Sequence, residues 1–389
     1  MKRGNKKIII GMIAAFLVGC LVAGSVTVMF LNGGLGNSVR VSKAEYETMN
    51  RMAEKYEKAE RIYQSLNTYY YQDIDETDVM NGLYKGIVNG LDDPYSAYMT
   101  KEEYDDWKVS ATGKYSGVGI TFTKDDKGYV IISLNKGAPA ERAGLKTGDY
   151  ILSVDGETYE DMDIMANAIR GDSGTKVKLV YYRSGKEHEI TLTREKIQQQ
   201  SVEYKVLDGN IGYIQISSFI EETAGDFDKT LKALEKKGVK KLVLDLRDNG
   251  GGLVESCIDI ADQFLDAGVV TYVEDKQGQR TEYKSENGKT DLETVILVNE
   301  NSASASEILA AALQDNGFKL VGQKTFGKGV IQSTAEMEDG SALKLTIMQY
   351  FSPKGRQVHK KGIEPDYSVK NREESKTDAQ LEKALSLLK

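Results

Sequence analysis

The sequence contains few residues of several types that define common protein classes. Among its 389 residues are only two histidines, His188 and His359, and neither lies beside a plausible nucleophile, which argues against a Ser-His-Asp triad. The two cysteines, Cys20 and Cys257, cannot build a disulfide framework. The net charge of -8 argues against nucleic acid as a partner. With only four prolines and 38 glycines, the chain is expected to form ordered elements joined by glycine turns.

The N-terminus combines positive charge with a long apolar run. Basic residues at positions 2, 3, 6 and 7 precede 24 almost uncharged residues from Ile8 to Leu31, which exceeds the ~20 residues needed to cross a bilayer. We therefore expect residues 1–7 to form a cytoplasmic tail and residues 8–31 a single transmembrane anchor. The positive flank would stay in the cytoplasm and place the rest of the chain outside a bacterial cell membrane.

Two other interpretations of this segment stay open. A cleaved signal peptide is one, although the apolar run is long and has no clear small-residue exit. The other is a lipoprotein, because Leu17-Val18-Gly19-Cys20 resembles a lipoprotein cleavage box. Apolar sequence continues for eleven residues beyond Cys20, which is unusual after a lipidated cysteine.

Residues 42–112 are expected to be helical, because charged and apolar residues alternate there at spacings of three and four. Ser42 and Glu45 match a capping box at the start of the first helix. This N-terminal helical region is either a solvated spacer or the arm of a homodimer, and the sequence does not distinguish them.

Residues 113–196 predict a small separate β domain, in which short β-rich runs alternate with glycine or charged turns. Gly117, Val118, Gly119 and Ile120 stand where backbone N–H groups can form a nest for an anion, followed by a strand that can pair with an extended peptide. The expected ligand is a peptide C-terminus. Together with the block GAPAERAGLKTGDYILSVDG, this segment resembles a PDZ domain.

Arg170 follows the second predicted helix of the small β domain. It is a candidate peptide-binding residue that either senses the ligand or locks the domain against the core. The other interpretation is a solvated helix terminus, where a cation suits the helix dipole.

Residues 197–370 alternate between strand and helix patterns, which indicates an α/β core with parallel strands. A later strand is expected within SALKLTIMQYFS, and residues 371–389 form a closing amphipathic helix. The fold class is therefore α/β with an inserted domain.

Ser304 follows a buried-type strand and opens a helix. A hydroxyl at a helix N-terminus suits a nucleophile, because the partial positive charge there favours an oxyanion. Serine at this place is more often only a cap, and Ser304 with Glu307 also matches a capping box. The run DLRDNGGG supplies glycines whose N–H groups can approach a substrate carbonyl.

Lys328 lies between two glycines in KTFGKGVIQ, near apolar residues that could lower its pKa and make it a base. Gln332 follows four residues later and could accept a hydrogen bond from the amine. Ser304 and Lys328 together suggest a hydrolase with a serine nucleophile and a lysine base.

The segments DLRDNGGG, VNENSASASEILAAALQDNG, KTFGKGVIQ and YFSPKGRQVHKKGIEPD resemble the carboxy-terminal processing peptidases, also called tail-specific proteases. That resemblance implies a crotonase/ClpP-type protease core with an inserted PDZ domain. It also implies Ser304 as nucleophile, Lys328 as base and Gln332 as orienting residue.

The same resemblance places the oxyanion hole at the backbone N–H of Gly251 or Gly252 and at that of Ala305. It implies no metal and no other cofactor. The expected substrates are proteins bound through their C-termini and cleaved near them. Two rivals remain: an inactive membrane-tethered PDZ scaffold, and a crotonase-like acyl-CoA enzyme, which the address outside the cytoplasm disfavours.

Overall fold

The computed structural model describes residues 41–286, 288–371 and 377–389. The predicted cytoplasmic tail, residues 1–7, and the predicted membrane anchor, residues 8–31, lie outside these ranges. Among the described residues, no helix combines the length and the apolar composition that crossing a bilayer requires. The chain divides into two compact units, with the division after Leu83.

The first described helix, α1, spans Lys43–Tyr69, and helix α2 spans Glu76–Asn89. The capping box predicted at the start of α1 is confirmed. Glu45 N–H donates to Ser42 Oγ at 3.2 Å, and Ser42 N–H donates to Glu45 Oε2 at 2.7 Å. No residue of α1 is buried, so its apolar side chains are at least partly exposed.

The expectation of helix throughout residues 42–112 is wrong at one place. A three-residue strand, β1 (Ala97–Met99), precedes helix α3 (Lys101–Thr112). Strand β1 pairs antiparallel with Ala342 to Lys344, far along the chain. A strand this short is too brief for an alternating pattern, and its partner cannot be read from local sequence.

The small β domain contains a five-stranded antiparallel sheet and a separate two-stranded ribbon. Its elements are β2 (Lys114–Gly117), β3 (Ile120–Asp125), β4 (Gly128–Leu134), α4 (Pro139–Arg142), β5 (Tyr150–Val154), α5 (Met162–Ile169), β6 (Lys176–Arg183), β7 (Lys186–Thr193) and β8 (Glu195–Gln198). The sheet runs in the order β3-β4-β5-β6-β7, so β3 has one free edge. Strands β2 and β8 pair with each other where the chain enters and leaves the domain.

The remaining chain forms an α/β core, as the strand-helix alternation predicts. Its elements are β9 (Val202–Leu207), β10 (Ile211–Ile216), α6 (Thr223–Lys236), β11 (Lys241–Asp245), α7 (Val254–Asp262), β12 (Gly268–Asp275), β13 (Arg280–Ser285), β14 (Glu293–Val298), α8 (Ala305–Asp315), β15 (Lys319–Gly322), β16 (Val330–Glu336), β17 (Ala342–Phe351), β18 (Tyr367–Ser368) and α9 (Ala379–Leu387).

Six strands form the central sheet in the order β18-β15-β14-β11-β10-β9. All neighbours pair in parallel except β9 with β10. One face packs on α6, α7 and α8 around Phe219, Phe227 and Phe264, which are almost fully buried. Burying each such side chain contributes roughly 1.5–3 kcal/mol. Apolar residues of α9 cover the opposite face.

The core also contains a second sheet that the sequence patterns did not predict. It is antiparallel, with the order β1-β17-β12-β13, and β16 pairs with β17. Of its strands, the sequence predicted only β17. Strand β16 pairs with β17 alone, and a register shift lies beside Gln332. This leaves a free edge of β16 next to the predicted catalytic residues.

Candidate active site

Ser304 occupies a strained turn between strand β14 and helix α8. Its backbone has φ 55° and ψ −116°, whereas an ordinary N-cap serine is extended. Ser304 and Glu307 match a capping box by type and spacing, but only the Glu307 half is a hydrogen bond: Ser304 N–H donates to Glu307 Oε2 at 3.0 Å. Among the described residues, the Ser304 hydroxyl makes no cap hydrogen bond. A strained serine whose hydroxyl is not used as a cap fits a nucleophile better than a cap.

The glycine loop passes directly against this turn. Gly251 has φ +102°, and a Cβ added there would lie 2.7 Å from Ser304 Cβ and 3.0 Å from Ala305 N. Only glycine permits this approach. The glycine loop therefore lies in direct contact with Ser304 and with the first residue of α8.

The structure distinguishes the two candidate oxyanion glycines. Gly251 N–H donates to Asn249 Oδ1 at 2.9 Å and is therefore occupied. Gly252 lines the cavity that holds Ser304, and its N–H has no acceptor among the described residues. Ala305 is the first residue of α8, where an N–H has no partner within the helix. Gly252 and Ala305 are thus the available pair of donors.

Lys328 is half-buried in the loop before β16. Its Nζ lies 4.9 Å from the centre of the Tyr95 ring. Burial lowers the pKa of Lys328, and the nearby charge of Lys344 lowers it further, against smaller opposing effects of Asp93 and Glu307. A lysine with a lowered pKa is a better proton acceptor near neutral pH.

Gln332 lies on β16 beside the register shift. Its Nε2 donates to Thr346 Oγ1 on β17 at 3.2 Å. Because the amide nitrogen is held by β17, the amide oxygen is left to accept a hydrogen bond from an amine.

One cavity of about 530 Å³ brings these side chains together. Ser304, Lys328, Gln332 and Gly252 line it. Its walls come from helix α3, the glycine loop with the start of α7, and strands β13, β16 and β17. Other residues that line it include Tyr104, Trp107, Glu255, Tyr283 and Lys344.

Two buried side chains that sequence reasoning did not single out for the site join the nucleophile to the base. The Glu307 carboxylate accepts hydrogen bonds from the backbone N–H groups of Ser304 (3.0 Å) and Lys328 (2.9 Å). The Tyr350 hydroxyl lies 3.0 Å from Ser304 O and 2.6 Å from Lys328 O. Together, Glu307 and Tyr350 fix the backbones of both residues.

Glu307 is completely buried. It also accepts hydrogen bonds from Thr325 Oγ1 at 2.5 Å and Gly327 N–H at 2.8 Å. Burial raises the pKa of Glu307, and these hydrogen bonds oppose the rise. Every one of these contacts is a donor, which suits the ionised carboxylate. In the sequence, the available signal is a glutamate inside an otherwise apolar helix, but its spacing from Ser304 matches a capping box equally well.

In the small β domain, the loop Gly117–Ile120 lies beside the free edge of β3. The carbonyls of Val118 and Gly119 accept hydrogen bonds from Ala140 N–H (3.0 Å) and Asn135 N–H (2.9 Å). Within the described ranges, the N–H groups of Val118 and Gly119 have no acceptor. The loop and the edge strand therefore have the features predicted for holding a peptide terminus.

Arg170 caps the C-terminus of α5. Its Nη1 lies 3.2 Å from Asp106 Oδ1 on α3, and its guanidinium lies 5.8 Å from the centre of the Tyr115 ring. Both members of the ion pair are partly exposed, so the pair contributes little to stability. The contact joins the small β domain to α3, the helix whose Tyr104 and Trp107 line the catalytic cavity.

Comparison with known proteins agrees with this site. The profile of Peptidase family S41 matches residues 210–369, the PDZ domain profile matches residues 116–193, and the profile of the activating protease CtpB N-terminal domain matches residues 22–103. The carboxy-terminal processing protease CtpA of Bacillus subtilis (strain 168) is 38% identical over 94% of this chain and 77% of the relative.

Solved structures show the same similarity. A photosystem II D1 C-terminal processing protease is 29% identical, with a TM-score of 0.50 over 80% of this chain and 86% of that one. An S41 protease from Bacteroides fragilis NCTC 9343 is 16% identical, with a TM-score of 0.53 over 78% of this chain and 89% of that one, and shares the fold. The small β domain is thus a PDZ domain, and the chain belongs to the carboxy-terminal processing proteases of peptidase family S41, which are serine-type peptidases.

Proposed function

We propose that this protein is an endopeptidase in which Ser304 is the nucleophile, Lys328 the general base and Gln332 the residue that orients the base. One observation carries the proposal: a strained Ser304 shares a cavity with a lysine whose pKa is lowered and with Gly252, whose N–H has no acceptor among the described residues. The alternative hypothesis, an inactive scaffold, does not explain this arrangement.

The reaction follows from the positions of these groups. The neutral amine of Lys328 takes the proton of Ser304 Oγ, and Oγ attacks the carbonyl carbon of the scissile peptide. Gly252 N–H and Ala305 N–H donate to the oxyanion that forms. Lys328 then gives its proton to the leaving amine, and the acyl ester is hydrolysed by a water that Lys328 deprotonates.

The proposed substrate is a protein whose C-terminus is recognised by the PDZ domain. Its carboxylate accepts hydrogen bonds from the N–H groups of Val118 and Gly119, and its backbone pairs with the free edge of β3. The hydrogen-bonding pattern of this loop supports the proposal: its carbonyls are already engaged, whereas the N–H groups of Val118 and Gly119 have no acceptor among the described residues. A peptide with an amidated C-terminus should bind more weakly than the same peptide with a free carboxylate.

We further propose that the protein is anchored in a bacterial cell membrane by residues 8–31, with its catalytic part outside the cytoplasm. The support is the basic flank and the 24-residue apolar run in the sequence. The mass of the mature protein tests the anchor, because cleavage or lipidation at Cys20 would remove residues 1–19.

A homodimer through α1 is also proposed. Along this helix, apolar residues recur at spacings of three and four, as in a two-helix seam: Met49, Met52, Tyr56, Ala59, Tyr63 and Leu66. Met49 and Met52 are each 61% exposed, so this face is available to a second copy. Sedimentation of the wild-type protein and of Met52→Lys would test the dimer by comparing their oligomeric states. The introduced charge should weaken the association.

The catalytic assignment is tested by cleavage of an unstructured protein. Ser304→Ala and Lys328→Ala should each abolish cleavage, whereas Lys324→Ala should retain it, because Lys324 is an exposed lysine paired with Glu364. Full activity in either of the first two variants would refute the dyad. An inactive wild-type protein would favour the scaffold instead.

A further inference from the structure

We propose that Lys344 is a positioning residue for the reaction, because its charge keeps Lys328 in the neutral, proton-accepting form. The inference rests on the proposed role of Lys328 as the base. Lys344 is the second cation that lines the cavity, and it belongs neither to the sequence motifs nor to the proposed reaction steps.

Strand pairing places Lys344 on the catalytic side of its sheet. Lys344 lies on β17 opposite Thr334 of β16. It is two residues before Thr346, which accepts the hydrogen bond from Gln332. Residues two apart on a strand share a face, so Lys344 lies on the same face as the Thr346 side chain, and both Lys344 and Lys328 line the cavity.

Lys344 is half-buried, and among the described residues its ammonium group has no ion-pair or hydrogen-bond partner. Other lysines nearby are paired: Lys101 with Asp105, and Lys108 with Asp105. An unpaired cation that lines a cavity is expected to change the electrostatic potential at the other ionisable groups of that cavity.

Two ammonium groups in one partly buried cavity repel each other, and the group that is easier to neutralise loses its proton. Burial is the main cause that lowers the pKa of Lys328, and Lys344 is the next. Asp93 and Glu307 favour the charged form of Lys328. Without the charge of Lys344, only burial would oppose the effect of the two carboxylates. The pKa of Lys328 would therefore rise.

Other described ionisable groups also lie near Lys328, and the Tyr350 hydroxyl is 2.6 Å from its carbonyl oxygen. The Tyr95 ring lies beneath its Nζ, with His359 packed edge-on to that ring at 6.5 Å between centroids. Across the cavity, the ionisable residues of α3, α7 and β13 that line it are Tyr104, Glu255 and Tyr283. Lys344 is the cation among the groups that act on Lys328 through charge.

A cation in a peptidase cavity could instead bind a carboxylate of the substrate. The two roles predict different kinetics. A binding role changes KM for acidic substrates and leaves the pH dependence in place, whereas control of Lys328 moves the acid side of the pH profile whichever substrate is used.

The experiment compares pH profiles of kcat/KM for the wild-type protein, Lys344→Met and Lys344→Arg, with a peptide substrate that contains no Asp or Glu. For Lys344→Met, we expect activity on the acid side of the profile to fall about tenfold relative to its own plateau. Lys344→Arg keeps the charge and should restore the wild-type profile. Lys324→Met is the control for loss of a lysine outside the cavity.

The rate at which a fluorophosphonate labels Ser304 gives a second measurement, independent of substrate binding, and it should show the same displacement with pH. If Lys344→Met does not fold, Lys344→Gln replaces it. Profiles of Lys344→Met and wild type that superimpose, or a change confined to KM, overturn the inference. If Lys328→Ala remains active, the proposed dyad itself fails, and the two failures are therefore distinct.

Discussion

The catalytic glycine loop and the glycine loop of the PDZ domain both have N–H groups without an acceptor among the described residues, and the two loops differ in how they are held. At the catalytic loop, the neighbouring Ser304 and Lys328 are fixed by the buried Glu307 and Tyr350. At the PDZ loop, the backbone is positioned by hydrogen bonds of its own carbonyls to Asn135 and Ala140. Catalysis should therefore be sensitive to the loss of single polar atoms around Ser304 and Lys328. Peptide binding at the PDZ loop should depend mainly on the space around the loop backbone.

The largest effect is expected at Glu307. In Glu307→Gln, one carboxylate oxygen becomes an NH₂ that faces N–H donors, so a hydrogen bond to Ser304, Lys328, Thr325 or Gly327 is lost. Leaving such buried groups unpaired costs about 1–3 kcal/mol, and displacement of the dyad should lower kcat at least about 100-fold. Steady-state kinetics and chemical denaturation measure the two effects. A kcat near that of the wild type would show that Glu307 does not position the dyad.

A comparable loss is expected from Gly251→Ala, because the new Cβ would lie 2.7 Å from Ser304 Cβ. Because the serine is displaced, kcat of the variant should be about 100-fold lower than that of the wild type. Gly250→Ala is the matched control, since a Cβ at Gly250 meets nothing within 4 Å. Equal activity of the two variants would mean that contact between the glycine loop and the serine has no role.

A smaller effect is expected from Tyr350→Phe, which removes only the hydroxyl near Ser304 O and Lys328 O. The rest of the ring still fills the core, so the fold should persist, with a loss of about 0.5–1.5 kcal/mol in unfolding free energy. We expect kcat to fall about tenfold while KM stays nearly constant. A change in KM alone would place the effect in substrate binding instead.

The smallest effect on catalysis is expected from the PDZ loop. In Gly119→Ala, the new Cβ would lie 2.2 Å from Ala138 Cβ at φ +76°. Gly137→Ala is the control, because Gly137 has the same φ and open space around it. Affinity for a labelled peptide with a free C-terminal carboxylate should fall about tenfold or more in Gly119→Ala, equivalent to ~1.4 kcal/mol. Equal affinities in the two variants would show that the loop does not bind the peptide.

The parts of the fold that sequence predicted are those with local signals. The capping box of Ser42, the strand-helix alternation of the core and the glycine turn of the PDZ domain all lie in short segments. The second sheet was missed because β1 and β17 pair across more than 240 residues, and local patterns do not specify a distant partner.

The candidate site shows the same division. Ser304, Lys328 and Gln332 belong to recognisable short motifs. Glu307, Tyr350 and Lys344 act through contacts that exist only once α8, β16 and β17 are assembled. The choice between Gly251 and Gly252 also needed the structure, because it depends on which N–H is already taken by Asn249.

The most direct test of the Ser304–Lys328 assignment is covalent labelling with a fluorophosphonate probe, followed by peptide mass mapping. The expected result is a single label on Ser304 of the wild-type protein, with labelling strongly reduced in Lys328→Ala and unchanged in Lys324→Ala. A label on another serine, or undiminished labelling of Ser304 without Lys328, would contradict the assignment.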